Sequence, residues 1–188
     1  IYTTLFNAAC SGDSDCDGVL NINYFSGEPI TGFETGRPML VRMPESKLSF
    51  ENFARSLVFG AMTTLRVGME ILTVQEKVQV KTILGHGGFF KTKNAGQQLM
   101  AAALNTPISV METAGEGGPW GMALLASYRV NKENGESLED YLNRCVFASA
   151  ESLTLSPEAK DVAGFDAYLK LFRQGLSVQR TAVETINA

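Results

Sequence analysis

Val78-Gln79-Val80-Lys81-Thr82-Ile83-Leu84 has the composition of a strand, and it runs straight into Gly85-His86-Gly87-Gly88. Residues 94–104 then form an Ala-rich helix that Asn105 and Pro107 bring to an end. Pro107 to Met111 is a second short strand. Strand, glycine turn, helix, strand is the unit that a parallel sheet is built from. Upstream, Ser49 caps a long helix in which Phe50, Phe53, Ala54, Leu57, Val58, Ala61, Leu65, Met69 and Leu72 repeat as one apolar face. Further upstream lie a helix tail over residues 1–9, a turn-rich loop over 11–18 and a strand over Val19–Phe25. Ser26 to Pro44 reads as an irregular surface excursion, rich in proline and glycine. Downstream, Gly115-Glu116-Gly117-Gly118-Pro119 leads into a helix from about Trp120 to Arg129, and Ser137 starts another. Ser156-Pro157-Glu158 opens the last helix, with Val162, Phe165, Tyr168, Leu169, Phe172 and Leu176 as its apolar face. The order predicts an α/β fold of parallel strands with crossover helices.

The 188 residues amount to one domain, and 45% hydrophobic against 19% charged residues suffices for a sizeable core. A net charge of -4 without any Lys/Arg run argues against nucleic acid as a partner. No apolar run approaches the ~18 residues of a membrane span. Cys10, Cys16 and Cys145 are odd in number and lack CxxC spacing, which fits free thiols in a reducing compartment, so a cytoplasmic location is expected. No secretory signal pattern opens the chain. Ile1 to Asn7 reads as the middle of an element, so the chain is expected to be a piece of a longer protein.

Asp13-Ser14-Asp15-Cys16-Asp17-Gly18 matches the front of a calcium loop, but Tyr24 stands where the bidentate Glu is needed, and a solvated loop is the reading. His86 is the single histidine, without companions for a zinc site or a serine elbow, and is expected to be structural, bonded to backbone. Gly85, Gly87 and Gly88 sit where ligands of open parallel sheets bind, and a residue without Cβ lets backbone approach a ligand. The turn is neither a Rossmann fingerprint nor a Walker loop. An acidic residue ~20 positions on is also wanting, with Glu112 a little too far. Together with Gly115–Gly118 it suits a flat ligand such as a nucleobase. Phe89, Phe90 and Trp120 are either core or the walls of a purine pocket, and Lys91 and Lys93 either meet phosphate or stand in solvent. Arg55 and Arg66 share a helix face and read as salt-bridge partners.

Four stretches in order carry a family resemblance. They are Tyr24-Phe25-Ser26-Gly27-Glu28-Pro29 with Gly36-Arg37-Pro38; Phe53 to Gly60 with Leu65-Arg66 and Glu70; Ile83 to Gly88 with the 94–104 helix and Thr106-Pro107-Ile108; and Gly118 to Ala126. Together they resemble the C-terminal domain of the FGGY carbohydrate kinases, xylulose kinases most of all. The match departs where an arginine usually follows Glu28 and where Phe59 replaces a usual Glu. The resemblance implies an actin-like, ribonuclease-H-like ATPase domain occupying residues 1–188. It implies ATP and Mg²⁺ as cofactors and transfer of a phosphoryl group to the hydroxyl of a sugar such as D-xylulose. Adenine would lie against Gly87 and Gly88, with a polar contact from Thr92 or Lys93. The catalytic Asp, the phosphate loops, the metal ligands and most sugar contacts would belong to an N-terminal domain and to sequence upstream, so no catalytic residue is expected here. The missing upstream strands would leave a sheet edge open, and self-association is expected. The competing reading is a non-catalytic actin-like module that binds a nucleotide or a protein.

Overall fold

The computed structural model describes residues 1–111, 117–148 and 151–186. Helix α1 (Tyr2–Ser11) is followed by strand β1 (Val19–Ile22), strand β2 (Met39–Arg42) and helix α2 (Phe50–Glu70), which runs on through a π-helical turn, Ile71–Gln75. Then come β3 (Ile83–Gly85), α3 (Ala95–Leu104), β4 (Ile108–Met111), α4 (Gly117–Asn131) and α5 (Leu138–Leu142) with a π-helical turn Asn143–Phe147. Strand β5 (Ser152–Leu155) and the long α6 (Ala159–Thr185) complete the chain.

β3 and β4 pair in parallel, Ile83 opposite Ile108, with α3 as the crossover, as the glycine-turn unit predicts. The other pairings depart from the expected all-parallel order. β1 and β2 form an antiparallel ribbon, Val19 opposite Arg42, and β5 joins β4 antiparallel, Ile108 opposite Leu155. Both unforeseen strands lie in stretches where the sequence signal is weak: β2 inside the excursion read as irregular, β5 as four residues just before the last helix. β3 is also shorter than Val78–Leu84, because residues 78–82 find no strand to pair with among the described residues.

The main core gathers α1, β1, α2, α3 and α6. Val19, Leu20, Asn21 and Ile22 are all buried, since α2 covers one side of β1 and α6 the other. Phe59 of α2 meets Phe165 and Tyr168 of α6 edge-on, with centroids 4.9 and 5.5 Å apart. The Tyr168 hydroxyl accepts from the Asn21 amide and donates to the Ser56 carbonyl at 2.9 Å. Gly60 permits this approach: a Cβ there would stand 2.6 Å from the Asn21 carbonyl oxygen.

Helix α2 turns a different face inward from the one its apolar rhythm predicts. Ser49 caps it by accepting from the Asn52 amide, as expected. Its buried residues are Asn52, Ala54, Arg55, Ser56, Phe59, Gly60, Met62 and Thr63. Phe50, Leu57, Ala61 and Leu65 are exposed, and Val58 is half-buried. The inward face tolerates polar side chains because each has a partner. Arg55 pairs with Asp161 at 2.7 Å, and Ser56 accepts from Asn21 Nδ2. Arg66, half-buried on the same helix, reaches Glu70 and Asp166, so both arginines are ion-pair partners as read. From Phe50 to Gln75 this helix is long and apolar enough, by composition alone, to cross a bilayer, which corrects the sequence reading. Its inward face packs against α1, β1, α3 and α6, and 22% of the apolar window is buried.

Candidate functional site

The end of β3 sets the site. Gly87 takes a φ of +99°, a conformation L side chains rarely adopt, and the chain then makes a short 3-10 turn, Gly88–Lys91. Among the described residues no atom lies within 4 Å of where a Cβ would stand on Gly87 or Gly88, so both present bare backbone. Beside Gly88 is a cleft of about 550 Å³, lined on this side by Gly88, Phe89, Lys91 and Thr92 and on the other by Tyr2, Thr3 and Phe6 of α1. That size and lining, largely apolar with a few hydroxyls, suit a small organic ligand.

The sequence-predicted residues divide among neighbouring places. Gly88 and Thr92 share the cleft, and Thr92 is 6% exposed. Lys93 is exposed and faces a second cleft of about 480 Å³ together with Lys91, Asn94, Gln97 and Glu151. Gly87 lies against the second glycine turn: a Cβ on Gly117 would stand 3.6 Å from Gly87 Cα. The two glycine turns therefore adjoin. Gly115, Glu116 and Glu112 lie outside the described residues. His86 departs from the expectation of a backbone-bonded structural residue. It is exposed and stacks on Trp120, with ring centroids 6.0 Å apart, because it sits between the two turns.

Phe89 and Phe90 are half-buried, and Phe89 packs edge-on against Phe6 with centroids 5.1 Å apart. That pair separates the cleft from an apolar groove of about 520 Å³ under the outward face of α2, lined by Leu57, Val58, Leu65 and Met100 among others. Tyr2, Thr3 and Phe6 had no part in the sequence reading of the site. Aromatic residues four apart on one helix were the available signal, but only the tertiary fold brings that helix face to the glycine turn.

Elsewhere the polar residues serve the fold. In the acidic loop, Asp13 accepts from Asn52 Nδ2 and Asp17 accepts from the Lys47 amide, both ordinary loop fastenings. Among the described residues no group of three or more His, Cys, Asp or Glu could hold a metal ion. Burial pushes the Cys16 thiol up to about 12 and raises Cys10 as well, so neither is an activated nucleophile. All three cysteines are free.

The family model for the C-terminal domain of the FGGY carbohydrate kinases matches residues 2–130. No curated protein matches the chain by sequence. Among solved structures, gluconate kinase from Lactobacillus acidophilus aligns with 96% of this chain and 34% of its own, at 20% identity and TM-score 0.67. Xylulose kinase from the same organism covers the same shares at 20% identity and TM-score 0.68. Plasmodium falciparum glycerol kinase, solved with ADP, aligns over 98% of this chain and 34% of its own, at 17% identity and TM-score 0.69. The chain thus spans about a third of the length of these structures, and it shares the actin-like fold with them. With the family model covering more than half its residues, the chain belongs to the FGGY family of carbohydrate kinases, through the C-terminal domain of that family.

Proposed function

We propose that this chain forms the adenosine side of an ATP-dependent sugar kinase, whose phosphate-binding and catalytic groups lie in further sequence. The observation that carries the reading is the bare backbone at Gly87 and Gly88, of which Gly88 lines a cleft of nucleoside size. A planar base can rest on peptide there without meeting a Cβ, and Thr92, which lines the same cleft, would supply a polar contact. A glycerol kinase of the same fold was solved with ADP, which supports a nucleotide as the ligand. Phosphoryl transfer depends on positioning and on neutralising charge around the transferred group. The described residues offer no carboxylate cluster for Mg²⁺, so that ion does not fit here and its ligands belong to the rest of the kinase. The acceptor is a polyhydroxy compound, with D-xylulose the first to try, since the similar structures include xylulose, gluconate and glycerol kinases. Three unpaired cysteines suit a cytoplasmic setting.

The direct test is binding of ADP to this chain by saturation-transfer NMR, which suits weak ligands. The base protons are expected to receive saturation. Gly88→Val, whose Cβ meets no atom among the described residues, should weaken binding at least about tenfold, roughly 1.4 kcal/mol. Binding unaffected by Gly88→Val would refute the base's place on that backbone. In a coupled ADP-release assay with D-xylulose the 188 residues alone are expected to give background only, and turnover would overturn the division of labour proposed here.

A further inference from the structure

We infer that α4 and α5 form a flap latched to the glycine turn by the stacking of Trp120 on His86, and that the flap tightens when a ligand occupies the turn. The two helices, with the turn after α5, make a hairpin that holds itself together. Tyr128 meets Tyr141 edge-on with ring centroids 5.5 Å apart, and the Ser127 and Tyr141 hydroxyls share a hydrogen bond of 2.7 Å. Arg144 donates twice to the Glu136 carboxylate, at 2.8 and 2.9 Å. From the body of the chain the hairpin is set apart. Helix α4 buries no residue, and among the described residues no side chain of the hairpin joins either apolar core. A segment with so little buried contact opens at a lower cost than the core, and ligand-responsive lids are drawn from such segments.

Where the hairpin does meet the sheet, it meets the site. Trp120, in the first turn of α4, stacks on His86 with 6.0 Å between ring centroids and 22° between planes. Gly117, at the head of the same helix, lies against Gly87. His86 in turn adjoins Gly87, whose φ of +99° shapes the turn, so movement of α4 reaches that backbone without an intermediary. An aromatic pair contributes a factor of about two to ten to an equilibrium, enough to bias an otherwise loosely held flap toward the closed state. The pair joins the single histidine of the sequence to its single tryptophan, so indole emission reads this contact alone. Its bearing on the ligand rests on the nucleotide reading above.

Amide hydrogen exchange on this chain tests the latch, with Trp120 fluorescence as a second readout. In the wild type the amides of α4 and α5 should exchange together, and faster than those of α2 and α6. Trp120→Leu and His86→Leu should each speed the hairpin amides about twofold to tenfold, and the double replacement should do no more than either alone. Trp120→Phe, which keeps a ring, should stay near wild type, and His86→Leu should shift the Trp120 emission. Saturating ADP should slow the wild-type hairpin amides at least about threefold. Hairpin exchange unmoved by both single replacements, additive effects in the double, or acceleration spread equally over α2 and α6 overturns this inference and leaves the nucleotide reading standing. So does hairpin exchange that ignores bound ADP. Absence of any nucleotide binding by the wild-type chain overturns the nucleotide reading instead, and the exchange rates of the variants still decide the latch.

Discussion

Arg55 is 1% exposed and joins four elements. Its guanidinium pairs with Asp161 of α6 and donates to the carbonyls of Ala9, Cys10 and Gly12 at the end of α1, while Gln98 of α3 donates to the same Asp161. The last carbonyls of a helix have no partner within it, so a cation there satisfies an existing need. Removing one member of a buried pair strands the other. Arg55→Ala should therefore cost about 3–5 kcal/mol in urea unfolding, and replacing both Arg55 and Asp161 by leucine should recover much of the loss. An Arg55→Ala chain as stable as wild type would show that the pair contributes nothing. Alkali acts on the same core. The Cys16 thiol is raised from 9.0 to about 12, and desolvation raises the Tyr168 phenol too. Both groups hold their protons more tightly folded than unfolded, so the stability they lend is complete below about pH 9 and drains away as pH climbs through the folded values. Urea midpoints should fall from pH 9 to pH 11, less steeply in Cys16→Ala. A flat profile would contradict the assignment.

At the scale of elements, α2 shows where pattern and packing part. Leu57 and Leu65 continue a clean helical rhythm yet stand 38% and 41% exposed, while Phe59, outside that rhythm, is fully buried. Replacing Leu57 and Leu65 by glutamate should change stability by less than about 0.5 kcal/mol each and improve solubility, whereas Phe59→Ala should cost about 3–5 kcal/mol. Thermal melts of the three variants decide it, and a Leu57→Glu chain that unfolds would place that side chain in the core after all. The helices were legible in the sequence because each carries its own start, stop and periodicity: Ser49 for α2, Asn105 and Pro107 after α3, Pro157 before α6. The glycine turn was legible for a similar local reason, and its backbone stands open. β2 and β5 were not, since four-residue strands acquire their identity from the partners they pair with. The α1 wall of the cleft was hidden for the same reason: nothing near Tyr2 in sequence announces a neighbour near residue 88.

At the scale of the molecule, β3 has a paired side toward β4 and no strand on the other among the described residues. The apolar groove beneath α2 opens next to that edge, at His86, Phe89 and Phe90. An unpaired edge beside apolar surface invites a second chain. This chain on its own should associate as its concentration rises, and light scattering should record it; Leu57→Glu with Leu65→Glu should shift the distribution toward monomer. A monodisperse monomer at high concentration would show the surface to be inert.

The placement of α6 also bears on how the protein is made. Its aromatic side chains finish a core begun by β1 and α2, more than a hundred residues earlier, and Asp161 neutralises an arginine that has left the ribosome long before it. A nascent chain halted before Ala159 exposes Phe59, Leu20 and an unpaired guanidinium together. Folding of the first half thus waits on translation of the last, and in that interval the unfinished polypeptide is a natural client for a chaperone.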